Sequence, residues 1–271
     1  MDTRRLSAFP ILSALAAVVV FLSACGPATF AAGPQATTTR EIPSTQAPAR
    51  PTGSAPAGIV LDISLVSQGV AVETVAAQNA TAESPYWEAM PQHRRLVLEG
   101  YPVTAHRFEP QIFIYPAGEL DSANESAGRA ATDLRALLET RQRGNALPFL
   151  PLLNELQTMD ARVQFLDFKN GSGVRFLTQY GQGLVPINNY ELFYTFQGLT
   201  GDGRYYVSAI LPVTSPELPD SPTVSEGDTG SLSNFQDEVS RTVALLNQQD
   251  AESFTPDLEK MDALIRSIEV N

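Results

Sequence analysis

The chain has 271 residues, with 18 Lys and Arg against 30 Asp and Glu and a formal charge of −12. An acidic excess of this size repels phosphate backbones and anionic headgroups, which argues against nucleic acid as a partner and against membrane binding through a basic patch. Cys25 is the only cysteine, so an internal disulfide is excluded.

Arg4 and Arg5 precede an apolar run at 6–22 that only Ser7, Pro10 and Ser13 interrupt. It is shorter than the roughly 20 residues of a membrane span and ends in small residues without a charged stop, which is the layout of a cleaved leader. Its end, Leu22-Ser23-Ala24-Cys25, resembles the lipobox of bacterial lipoprotein precursors. The resemblance implies that residues 1–24 are a signal peptide and that Cys25 receives a diacylglyceryl thioether and becomes the first mature residue. The membrane partner is then the lipid on Cys25, and the protein stands on the extracytoplasmic face of a bacterial membrane. Each buried methylene of such an anchor contributes about 0.8 kcal/mol. The alternative is an uncleaved signal anchor that ends at Cys25.

Residues 25–57 read as a tether. Pro27, Pro34, Pro43, Pro48, Pro51 and Pro56 lie among Ala, Thr, Gly and Ser, which cannot build a core. In polyproline geometry this segment reaches about 100 Å. Residues 58–271 read as one α+β domain, with a β-rich part at 58–107 and a core at 108–271.

Short β-favouring runs at 59–66 and 70–75 predict a hairpin across Ser67-Gln68-Gly69, and 95–99 and 111–115 predict two more strands. A helix is predicted from Ser122, where Ser-x-x-Glu with Glu125 forms a capping box, and Ala127, Ala130, Ala131, Leu134, Leu137 and Leu138 give it one apolar face. Pro148 and Pro151 forbid a regular helix at 147–153 and predict a buried loop. Runs at 162–168 and 174–180 flank Asn170-Gly171-Ser172-Gly173, and runs at 190–197 and 204–211 flank Gly201-Asp202-Gly203, which predicts two hairpins. Residues 212–230 form a mobile, acidic surface loop in this reading. Phe235, Val239, Val243 and Leu246 mark a second helix, Thr255-Pro256 opens a third as N-cap and first helical residue, and 268–270 ends as a short strand.

Alternation along the hairpins separates two faces. Val163, Phe165, Val174, Phe176, Leu192, Tyr194, Phe196, Tyr205, Val207, Ala209 and Leu211 read as the core face. The other parity brings Arg175, Gln179, Gln197, Arg204 and Tyr206 together as a ligand or partner face, where polar groups converge to hydrogen-bond a small molecule or peptide. The competing reading is that helices cover this face.

The order of elements, with Gly-Arg-Tyr-Tyr-Val-Ser-Ala at 203–209 and Leu-Ile-Arg-Ser-Ile-Glu-Val at 264–270, resembles the PsbP-like α/β/α sandwich over about 108–271. That resemblance implies an antiparallel sheet of five to seven strands packed with about three helices, and it brings no functional residues with it.

No nucleophile elbow, zinc-protease motif or phosphate-binding loop occurs, and no cofactor or metal is implied. His93 and His106 are the only histidines, each beside arginines. The expected function is therefore a non-enzymatic binding or accessory module of the cell envelope that takes an envelope protein or a small ligand. The alternative is an envelope hydrolase that pairs His93 or His106 with an acidic residue.

Overall fold

The computed structural model describes residues 58–81, 84–144, 146–222 and 232–271. The leader, the lipobox with Cys25, the tether and the 223–230 part of the acidic loop lie outside the described residues.

The strands are β1 (Ile59–Val60), β2 (Gly69–Val75), β3 (His93–Glu99) and β4 (Gln111–Pro116). After helices α1 (Leu120–Ala123) and α2 (Glu125–Thr140) come β5 (Leu156–Phe168), β6 (Gly171–Gly181), β7 (Phe193–Thr200) and β8 (Tyr205–Pro212). Helices α3 (Leu232–Gln248) and α4 (Leu258–Ser267) and strand β9 (Glu269–Val270) complete the chain. Seven strands form one antiparallel sheet in the order β2-β3-β4-β8-β7-β6-β5, and β1 pairs with β9 in a separate ribbon. From β4 the chain crosses to the far edge through α2. It then meanders back from β5 to β8, so that β8 closes against β4.

Both faces of the sheet are covered, which gives an α+β fold with helices in two outer layers. On one face Leu134, Leu137 and Ala127 of α2 pack with Phe113, Tyr115, Phe176, Phe193 and Tyr206. On the other, Leu246 of α3 and Leu258, Met261 and Ile265 of α4 pack with Leu96, Ile112, Leu177, Tyr194, Phe196 and Val207. Burying each such side chain contributes about 1.5–3 kcal/mol, so a helix laid on either face is held mainly by these contacts.

Several local expectations change. Residues 59–66 do not pair with 70–75: the Ser64 N–H donates to the Asp62 side chain and a turn closes from Val66 N–H to the Ile63 carbonyl, so β2 pairs with β3 instead. The long helix begins at Asn124, whose side chain accepts from Ser126 and Ala127 N–H, while Ser122 donates to the Glu119 carbonyl. A cap of this type contributes about 1 kcal/mol. The N-cap of α4 is Asp257, not Thr255, and Pro256 follows a cis peptide bond outside the helix. Gly171 and Gly173 are strand residues, not turn residues. A Cβ at either would meet the Phe168 or Phe196 ring, so glycine is required for ring packing on the sheet. The described start of the acidic loop is tied down: the Asn189 amide donates to the Ser215 and Leu218 carbonyls, and Ser215 is buried.

Candidate functional site

The predicted polar face does not exist as one surface. Register pairs Val174 with Gln197 and Phe176 with Thr195, so Val174 and Phe176 share a face with Gln197, under α2. Arg175 pairs with Phe196 and points to the α3/α4 side. A one-residue change of phase between hairpins exchanges every side chain between faces. The loop at 182–192 sets that phase, and its length does not declare it. A bulge in β5 between Ala161 and Gln164 shifts the phase again within one strand.

The five residues accordingly fall into separate environments. Gln197 and Tyr206 are fully buried beneath α2. The Gln197 Oε1 accepts from Tyr206 Oη at 2.7 Å and from Leu150 N–H at 3.0 Å, and its Nε2 donates to the Leu150 carbonyl, Thr195 Oγ1 and Ser208 Oγ. This network grips the backbone of the 147–153 loop. Burial pushes the Tyr206 phenol well above its ordinary range, which keeps it a donor.

Arg175, 4 % exposed, is enclosed by α4. Its Nε lies 3.1 Å from Asp262 Oδ1, and its other nitrogens donate to Gln164 Oε1 at 2.7 Å and to the carbonyl of Arg162. Arg162 occupies a left-handed conformation (φ 54°) in the β5 bulge, held where Asn247 accepts its N–H at 2.6 Å. Tyr194 Oη also donates to Asp262 Oδ1, at 2.9 Å. Burial, reinforced by the Asp262 carboxylate, pushes that phenol well above its ordinary range.

Gln179 is buried and bonds the 185–188 loop. Arg204 is exposed at the β7–β8 turn and pairs with Asp202, whose carboxyl is held well below its usual range by the Thr200 hydroxyl and the Arg204 N–H. None of the five faces an open cavity that the others share.

The histidines differ from each other. His106 uses both ring nitrogens: Nε2 lies 2.8 Å from the Leu192 carbonyl, and Nδ1 accepts from Phe108 N–H at 3.0 Å. It is a structural clasp with no free nitrogen for proton transfer. His93 lies at the start of β3, with Nδ1 2.9 Å from the Pro91 carbonyl and its ring 4.6 Å from that of Tyr115. Burial lowers its pKa against the hydrogen bond to the Pro91 carbonyl, with a further push from the Arg95 charge. Neither histidine bonds a carboxylate among the described residues.

His93 lines a cleft of about 460 Å³ at one end of the sheet, where β3 and β8 begin and β4 ends. Arg94, Ile114, Pro116 and Tyr205 form its sheet side, Glu119 stands exposed on its rim, and the ribbon ends Ile59 and Val270 close it opposite. Arg94 is half-buried and has no hydrogen-bond or ion-pair partner among the described residues. By contrast, Arg95 next to it bonds Glu73 Oε2 at 2.8 Å. Sequence reading set His93 beside Arg94 in a basic segment, either loop-like or at a strand edge, and the structure places both at the start of β3. Their convergence depends on β1–β9 pairing between residues more than 200 positions apart, which no local pattern records.

Among the described residues no group of three or more His, Cys, Asp or Glu side chains converges to hold a metal ion, and no helix is long and apolar enough to cross a membrane. Comparison with known proteins finds no family model, curated protein or solved structure that matches the chain.

Proposed function

We propose that the protein is a lipid-anchored lipoprotein of the bacterial cell envelope, whose folded domain is a non-enzymatic binding or accessory module that takes its ligand or partner at the sheet-end cleft. The carrying observation is the contrast in polar satisfaction. Gln197, Tyr206, Gln179 and Arg175 within the sheet are engaged by internal partners, whereas the cleft keeps an unpartnered guanidinium beside Ile59, Ile114, Pro116 and Val270. Lipid attachment at Cys25 rests on Leu22-Ser23-Ala24-Cys25 and the apolar run before it. Helices on both faces of the antiparallel sheet support a relation to the PsbP-like sandwich. The two stretches that suggested it, 203–209 and 264–270, bring Tyr205 and Val270 to the cleft.

The test is metabolic labelling of the full chain with an alkyne fatty acid in a bacterial host, with a panel of hydrolase substrates run on the same preparations. Wild type takes the label and fractionates with membranes, Cys25→Ser does neither, and no substrate turns over in a His93-dependent way. Label retained by Cys25→Ser would refute the anchor, and turnover lost in His93→Ala would replace the binding reading with the hydrolase.

A further inference from the structure

The cleft holds one guanidinium that makes no ion pair among the described residues, with the Glu119 carboxylate on the rim and Asn271 in the same lining. Arg94 is half-buried in β3, and its guanidinium makes no hydrogen bond or ion pair among the described residues. Arg135, Arg141, Arg162 and Arg241 also form no ion pair among the described residues, and what sets Arg94 apart is its place in the lining of a cleft. Desolvation raises the strength of any ion pair formed there, and the planar fork of arginine suits a carboxylate in two parallel hydrogen bonds. Beside this head group site Ile59, Ile114, Pro116 and Val270 give the cavity an apolar stretch, and Gln92, His93, Tyr205 and Asn271 line the rest. A volume of about 460 Å³ lies in the range of small-molecule sites.

The charge count separates monoanions from dianions. Burial disfavours a second cation at His93, and Glu119 on the rim opposes added negative charge. A phosphate monoester brings nearly two charges to one guanidinium, whereas a carboxylate brings one. Building on the cleft as the binding surface of the proposed module, we infer that it takes a small monocarboxylate with an apolar body, Arg94 holding the carboxylate and Ile59, Ile114, Pro116 and Val270 enclosing the remainder.

Fluorine NMR of the full chain in detergent tests this with para-fluorobenzoate and its uncharged isostere para-fluorobenzamide. A charge-assisted pair predicts that the acid binds about tenfold or more tightly than the amide. Arg94→Gln is expected to abolish that preference, and Arg94→Lys to keep part of it. Glu119→Gln tightens benzoate binding roughly twofold to fivefold by removing a like charge, and this arm does not depend on Arg94→Gln folding. Equal binding of acid and amide, full affinity in Arg94→Gln, or displacement of benzoate by equimolar inorganic phosphate each overturns the monocarboxylate assignment. If both probes bind regardless of residue 94, the cleft remains a binding surface and only the ligand class falls. If neither probe binds, the assignment falls, and the membrane anchor stands or falls on its own labelling experiment.

Discussion

Arg175 and Arg94 project from the same face of one sheet and meet opposite fates. Arg94 pairs in register with Ile114 and Arg175 with Phe196, and all four lie on the α3/α4 side. Over Arg175 the chain lays α4, and Asp262 and the Gln164 side chain complete a buried charge network. At Arg94, on the sheet end, the cover stops and the guanidinium stays open to the cleft. Strand parity therefore says where an arginine points and nothing about whether it is available. Availability depends on what the rest of the chain places above it.

The comparison breaks most visibly at Asp262. Asp262→Ala leaves the Arg175 charge buried and removes the acceptor of Tyr194 Oη. Removing one partner of a buried pair costs about 3–5 kcal/mol, because the remaining charge is out of water and uncompensated. Urea denaturation of the variant against wild type measures it. The double change Arg175→Met with Asp262→Leu is expected to recover only the part of the loss due to the buried charge, since Tyr194 Oη still lacks its acceptor. A loss below about 1 kcal/mol in Asp262→Ala would mean that water reaches the pair, and the distinction between the two arginines would weaken.

The neutral network on the opposite face is the next test. Gln197→Ala strips partners from Leu150 N–H, the Leu150 carbonyl and Tyr206 Oη. Orphaned buried groups cost about 1–3 kcal/mol each, but Ser208 still donates to the Leu150 carbonyl, so the two remaining orphans give an expected total of about 2–6 kcal/mol. The same denaturation measurement checks it. Hydrogen exchange would show the loss concentrated in the 147–153 loop. A uniform loss over the sheet would show that Gln197 supports the strands and not the loop.

Much of the fold was legible in the sequence, and most of the site was not, for one physical reason. Local signals act over a few residues: the apolar face of α2, the Asp202 turn and the β7–β8 hairpin appear where propensity and alternation place them, and the β5–β6 hairpin appears with a tighter turn than its glycines suggested. Which hairpin face meets which depends on register across 182–192 and on the β5 bulge, and either one shifts the phase by a residue. Gln197 and Tyr206 were correctly placed together, because both lie in one hairpin of fixed register. Arg175 and Gln179 were placed with them wrongly, across the longer loop. The cleft needed still longer information, the return of β9 to β1.

The histidines give a pH test of the same contrast between used and open groups. Burial lowers the pKa of His106, as it does that of His93, so each folded-state value lies below the unfolded one near 6.5. Below about pH 6.5 the unfolded chain takes up protons that the folded chain refuses. Their contribution is therefore intact above that pH, declines as pH falls, and declines no further once the folded-state pKa is passed. Protonating Nδ1 of His106 would also end its acceptance of the Phe108 N–H. Denaturation midpoints at about pH 7.5 and 5.5 should fall less in His106→Gln than in wild type. An equal fall would place the pH dependence among the carboxylates and His93.

The smallest expected effect is the sharpest for the argument about Arg94. Arg94→Met keeps an unbranched apolar stem along Ile114 and removes a charge that bonds nothing among the described residues. Stability is expected to change by no more than about 0.5 kcal/mol, as for a surface substitution without partners. Measured beside Asp262→Ala, this near-zero value separates an arginine the fold uses from one the fold leaves free. A loss of about 2 kcal/mol or more would mean that Arg94 has structural partners in solution, and a residue already engaged in holding the fold has no reason to be vacant for a ligand.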